Sequence, residues 1–277
     1  MENNTFFKNI VDFKKVQGCS LPDATIARKF VHHLFETLFI CKTEADNNIY
    51  EVKAQLTKSR EQFELVLYPL YKSDEIANKK ADAFFLALPS LYDILIQDAK
   101  AIFNADPAAK DLDQVLIAYP GFFAIAVYRF AHQLLHQKVP LLPRIFTEYA
   151  HSRTGIDIHP GATIGKAFAI DHGTGIVIGE TTQIGDNVKI YQGVTLGALS
   201  VQKELASSKR HPSIDDNVVI YAGATILGGQ TVIGHDSIIG GNVWLTHSID
   251  PYSVVYHQSK ATIQDKRMVD EPYNYFI

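Results

Sequence analysis

A chain of 277 residues, 47% apolar and 20% charged, has the composition of a globular protein with room for one large domain or two ordinary ones. Its net charge of −4 argues against a general nucleic-acid or membrane-surface role, which wants a basic face. Two cysteines, Cys19 and Cys41, form neither a disulfide framework nor a zinc-ligand set, and the opening MENNTFFKNIVDFKK lacks the apolar core of a secretory signal, so a cytoplasmic protein is expected.

Up to about residue 150 the apolar residues recur at steps of three and four, the helical period. LPDATIARKFVHHLFETLFI predicts a helix with Asp23 as N-cap, and ADAFFLALPSLYDILIQDAKAIFNAD continues the pattern with Pro89 and Pro107 as breakers. FFAIAVYRFAHQLLHQ predicts another helix. The longest apolar run, residues 115–128, contains Pro120 and Gly121 and falls short of the ~20 residues needed to span a bilayer. His132 and His136 lie one turn apart without a third ligand at matching spacing, so they read as packed or partly exposed helix side chains.

The second half runs on a six-residue beat. Ile158, Ile164, Ile170 and Ile176 come first, then, after a two-residue shift, Ile178, Ile184, Ile190 and Leu196. A long interruption precedes Ile214, Ile220 and Ile226, and a one-residue shift precedes Ile233, Ile239 and Leu245. A helix does not bury one residue in six, and a simple strand alternates with period two. Six is the period of a parallel β-helix in which three hexads close one triangular coil. At about eighteen residues per coil, Asp157 and His172 fall near the same prism edge, one rung apart. A histidine with an aspartate on its second ring nitrogen is a general base for activating a hydroxyl.

The repeat and the helical segment before it are joined by several short motifs: Asn104-Ala105-Asp106-Pro107-Ala108, Asp157-Ile158-His159-Pro160, Asp171-His172-Gly173-Thr174-Gly175 and Lys209-Arg210-His211-Pro212. Gly121-Phe122-Phe123-Ala124, followed by Tyr128-Arg129 and His132, completes the set. Together they resemble the serine O-acetyltransferase family, from about residue 80 to about residue 250 and again at the last residue. The resemblance implies an α+β fold: an N-terminal helical domain (1–152) for oligomerisation and part of the serine site, a catalytic left-handed parallel β-helix of hexapeptide repeats (153–258), and a tail (259–277). It implies a homotrimer, often paired into a hexamer, that moves acetyl from acetyl-CoA to the L-serine hydroxyl in cysteine biosynthesis. His172 would be the general base, oriented by Asp157. Asp106 and Asp171 would meet the serine ammonium, and Arg210 and His211 its carboxylate. Coenzyme A is expected near Ala222, Gly223, Gly240 and Gly241, where small residues permit close approach, with Lys260, Lys266 and Arg267 as candidate phosphate contacts. L-cysteine is the implied feedback inhibitor. Ile277 would carry the terminal carboxylate into cysteine synthase (O-acetylserine sulfhydrylase). No metal is expected.

Other residues take supporting roles. Arg129 reads as structural or interfacial, His159 as a packing or hydrogen-bonding residue of its corner, Glu180 as ordering the site, and Trp244 as packing. The cysteines lie outside every motif, so direct transfer is expected rather than an acetyl-cysteine intermediate. Two departures stand out: the Leu196 to Ile214 interruption is longer and poorer in glycine than the family's loop, and the coil exit NVWLTHSIDPYSVVYHQSKATI is unfamiliar. The loop is expected to cover the site and deliver Arg210 and His211. An acetyltransferase for another small alcohol or a sugar, and a non-catalytic scaffold for cysteine synthase, remain alternatives. A β-helix carbonic anhydrase would need converging histidines, and His172, His211, His235, His247 and His257 lack the close pair.

Overall fold

The computed structural model describes residues 4–17, 21–44, 48–199 and 208–258. Among them seven helices precede fourteen short strands. The helices are α1 (Asn4–Gln17), α2 (Ala24–Phe39), α3 (Ile49–Tyr71), α4 (Asp74–Ala105), α5 (Leu112–Ala118), α6 (Pro120–His136) and α7 (Leu142–Thr154). Asp23 caps α2 as predicted, its carboxylate accepting from the Thr25 and Ile26 amides. Pro107 follows the end of α4, but Pro89 does not break it: the helix runs through for 32 residues. Pro89 lies on the exposed side, where water can take the carbonyl that loses its partner. Helix α6 is buried almost all round, from Gly121 to Ala131, and forms the axis of the helical domain. No single described helix is long and apolar enough to cross a membrane.

The remaining strands wind into a parallel β-helix with three flat faces. Face A stacks β1 (Asp157–Ile158), β4 (Val177–Ile178), β7 (Thr195–Gly197), β10 (Thr225–Leu227) and β13 (Trp244–Leu245). Face B stacks β2 (Thr163–Ile164), β5 (Gln183–Ile184), β8 (Ser213–Ile214) and β11 (Val232–Ile233). Face C stacks β3 (Ala169–Asp171), β6 (Lys189–Tyr191), β9 (Val219–Ile220), β12 (Ile238–Ile239) and β14 (Val254–Val255). The six-residue beat becomes three vertical columns of inward side chains. Ile158, Ile178, Leu196, Ile226 and Leu245 are aligned and buried on face A. Ile164, Ile184, Ile214 and Ile233 form the second column, and Ile170, Ile190, Ile220 and Ile239 the third. Each coil therefore buries its apolar residues on the coils above and below it.

The register corrects one detail of the periodicity. Asp157 pairs with Val177, so Ile178 stands over Ile158, and Ile176 fills the corner position taken by Val194, Ala224 and Val243 in later coils. The two extra residues of this coil thus lie before Ile176, in the His172 turn, and not between Ile176 and Ile178. They bulge from the corner because Ile176 is claimed by the core.

The two parts are tied together by α4 and α6 packing on β3. Arg129 on α6 grips buried Asp98 on α4 with two hydrogen bonds, of 2.5 and 2.9 Å, and also donates to the carbonyls of Ile164 and Gly165. The Phe168 amide completes the Asp98 shell at 2.9 Å. Burial pushes the Asp98 carboxyl upward, while the guanidinium and the amide pull it back. Tyr128 reaches the carbonyl of Ala162 at 2.5 Å, and His132 Nδ1 donates to that of Pro160 at 2.8 Å.

Candidate active site at two corners of the prism

The corner between faces C and A carries the acids. His172 turns with φ 57° and Gly173 follows with φ 92°, two left-handed residues in succession. Gly173 cannot carry a side chain, since a Cβ would lie 2.5 Å from Ile156 Cδ1. That contact sets the His172 turn directly against the residue before Asp157, so the two predicted catalytic residues share one corner. Among the described residues they are not hydrogen-bonded to each other. The His172 ring is 71% exposed, with Nε2 3.8 Å from Asp171 Oδ1.

Asp106 joins this corner from the helical domain. It is the C-cap of α4, and both carboxylate oxygens are held: Oδ1 by the Ala108 amide at 2.8 Å, Oδ2 by the Tyr119 hydroxyl at 2.5 Å. The Tyr119 and Ala108 donors hold the Asp106 carboxyl below the usual carboxylate range, and the same contact pushes the Tyr119 phenol up to about 12. Lys189 on β6 links the two acids. Its Nζ lies 3.3 Å from Asp171 Oδ2 and donates at 2.7 Å to the carbonyl of Ala105.

Arg210 and His211 stand at a different corner, between faces A and B, above Glu180 and Thr181. Arg210 pairs with Glu180. His211 is buried with its ring laid on Gly179, where a Cβ would fall 2.0 Å from its Cδ2. Its Nδ1 accepts from the Thr181 amide at 3.1 Å. The proton of the neutral ring is therefore on Nε2, which becomes the donor. Burial, with Arg210 adjacent, drops the His211 pKa to about 4, so the ring is neutral at physiological pH. Lys209 anchors the returning loop by donating to the carbonyls of Thr181, His211 and Pro212. His159, two coils below at the same corner, accepts from the Gly161 amide, and burial lowers its pKa.

The sequence-predicted residues thus form two groups. Asp106, Asp157, Asp171 and His172 come together, whereas Arg210 and His211 are separated from them by the width of face A. Within one chain the Arg-His pair stays away from His172, because Lys209 and Thr181 fasten it to the nearer corner. Ala222, Gly223, Gly240 and Gly241 lie on the same C–A corner as His172, further along the axis, with the Asn242 amide donating to the Ala222 carbonyl at 2.9 Å. Trp244 is 68% exposed on face A, so the expected packing role is not met within the chain. Cys19, residues 200–207, Lys260, Lys266, Arg267 and Ile277 lie outside the described residues. Sequence reasoning missed Lys189, Tyr119 and Thr181. Lys189 offered one signal, a cation between Val188 and Ile190 in an otherwise tightly packed repeat.

No family model matches the sequence. A plasmid-borne serine acetyltransferase of Synechococcus elongatus is 52% identical over 65% of the chain, which spans 57% of that relative's length. The serine acetyltransferase of Bacillus subtilis is 41% identical over 66% of the chain and 82% of its own length. The chain belongs to the serine acetyltransferase family. Solved serine acetyltransferases share its fold. Isoform 3 from Entamoeba histolytica, in complex with cysteine, superposes with a TM-score of 0.77 and 34% identity over 88% of this chain and 85% of that one. A serine acetyltransferase in complex with CoA gives 0.57 and 28% over 82% and 95%.

Proposed function

We propose that the protein transfers acetyl from acetyl-CoA to the hydroxyl of L-serine, giving O-acetyl-L-serine and CoA for cysteine biosynthesis. One observation carries this reading: a histidine flanked by Asp106 and Asp171 on one corner, and an arginine-histidine pair on the next, supply charges for both ends of an amino acid. A sugar or simple alcohol has no ammonium for the acid pair and no carboxylate for Arg210.

His172 takes the hydroxyl proton as the serine oxygen attacks the thioester carbonyl. Asp157, beside it on the corner, steadies the imidazolium. The tetrahedral intermediate collapses with loss of the CoA thiolate, which receives the proton from His172. Neutral His211 donates Nε2–H, and Arg210 its guanidinium, to the serine carboxylate. Glu180 orders that arginine. Ala222, Gly223, Gly240 and Gly241 let coenzyme A approach the edge above the base, and Lys260 meets its phosphates.

An α-amino acid carries its ammonium and carboxylate on the same carbon, so one substrate cannot touch both corners of one chain. The reading therefore requires a homotrimer, alone or paired into a hexamer, with the A–B corner of one chain facing the C–A corner of the next. L-cysteine, with the same two charges, competes for the site as a feedback inhibitor. Ile277 docks into cysteine synthase, and the protein works in the cytoplasm. Residues 1–152 form the oligomerisation domain, 153–258 the catalytic β-helix and 259–277 the docking tail.

Thiol release from acetyl-CoA tests the reaction. Release that depends on L-serine and is lost in His172→Ala supports it. Release driven by a sugar or another alcohol instead would overturn the substrate, and no release from a folded oligomer would point to the scaffold role. Removing Ile277 should abolish cysteine synthase binding and leave catalysis intact.

A further inference from the structure

Lys189 sits where two carboxylates, a helix end and an aromatic ring converge. On β6 it follows buried Val188, and it points outward on face C beside Tyr191, whose register partner on β3 is Asp171. Its side chain is 14% exposed, and its ammonium lies 4.5 Å from the centre of the Tyr191 ring. That ring stacks in turn on Tyr221 at 4.9 Å. The Ala105 carbonyl, the Asp171 carboxylate and the ring face thus surround the ammonium.

We propose that Lys189 is a positioning residue for the substrate ammonium, clamping the Asp106 end of α4 to the Asp171 corner so that two carboxylates are held as a pair with one unit of negative charge left for the substrate. Asp106 and Asp171 come from different parts of the fold, and Lys189 bonds directly to the residue before the first and to the carboxylate of the second. Without a cation between them the acids repel, and the end of α4 loses a hydrogen-bonded tether to the β-helix. The serine hydroxyl is aimed at His172 from the ammonium, so a shift of the acid pair is felt at the reacting oxygen.

The inference rests on the acetyl-transfer reading, and one assay separates the two. Steady-state kinetics would be measured for the full-length protein, Lys189→Met and Lys189→Arg, with L-serine and acetyl-CoA varied in turn. Lys189→Met should raise the KM for L-serine by about tenfold or more and leave that for acetyl-CoA within about twofold, while Lys189→Arg restores most of the loss. If Lys189→Met does not fold, Lys189→Gln, which keeps a donor without the charge, should show the same selective rise in the KM for L-serine. An unchanged KM for L-serine, equal rises in both KM values, or no recovery in Lys189→Arg would overturn the positioning role. A parent protein that releases thiol without needing L-serine would overturn the acetyl-transfer reading, and this inference with it.

Discussion

At the scale of single residues, His211 makes a prediction with a definite sign. Its pKa is about 4 in the folded chain, against ~6.5 for an unfolded imidazole. Between those values the unfolded chain holds the extra proton. Its contribution to stability is therefore complete above about pH 6.5 and is lost as pH falls toward 4, by roughly 3 kcal/mol. Urea midpoints at neutral and mildly acid pH should fall less in His211→Asn than in the parent. Gly179 is its counterpart: Gly179→Ala would drive a methyl into the imidazole, so KM for L-serine should rise about tenfold or more with the KM for acetyl-CoA little changed. Arg129→Met strands the buried Asp98 carboxylate, and unfolding measurements should show a loss of about 3–5 kcal/mol, partly recovered by adding Asp98→Asn. Sequence made Asp106, Asp157, Asp171 and His172 readable because each stands in a compact local motif. It concealed Lys189 because its partner on α4 lies 84 residues earlier, and no local pattern marks the carbonyl of Ala105.

Among elements, the repeat was legible because every buried column demands the same residue type at a fixed step. Helix α6 was legible for a different reason, its unbroken apolar run. Pro89 misled because a proline on the solvent side of a long helix gives up one hydrogen bond that water replaces. The coil lengths were also legible, but the seat of the first insertion was not. Ile176 keeps the six-residue beat by coincidence, since a corner position also accepts isoleucine, and only the strand register moves the extra pair into the His172 turn. Deleting Gly173 and Thr174 would restore an eighteen-residue coil. The shortened protein should keep its β-helix by circular dichroism, while thiol release falls about a hundredfold or more although His172 is still present.

For the whole molecule, the separation of the two corners turns quaternary structure into a kinetic prediction. Chains carrying His172→Ala should be inactive, as should chains carrying Arg210→Ala. Co-assembled, they create some sites in which an intact C–A corner faces an intact A–B corner, so mixing after dissociation should regain a substantial fraction of parental activity. No recovery from well-mixed trimers would argue for a site within one chain. The sequence could not show this separation, because Arg210 and Asp171 belong to motifs that match equally well whether they meet in one chain or between two.

The C–A edge is also a scale of length. From the His172 turn, the corners at Gly193, Gly223 and Asn242 rise in equal steps of ~4.8 Å, so the last stands roughly 14 Å from the base. A donor lying along that edge is gauged by counting coils rather than by filling a pocket. Specificity for the donor would then be digital: one coil more or fewer shifts the thioester by a whole step, and no adjustment of side chains at the far end could bring it back to the base.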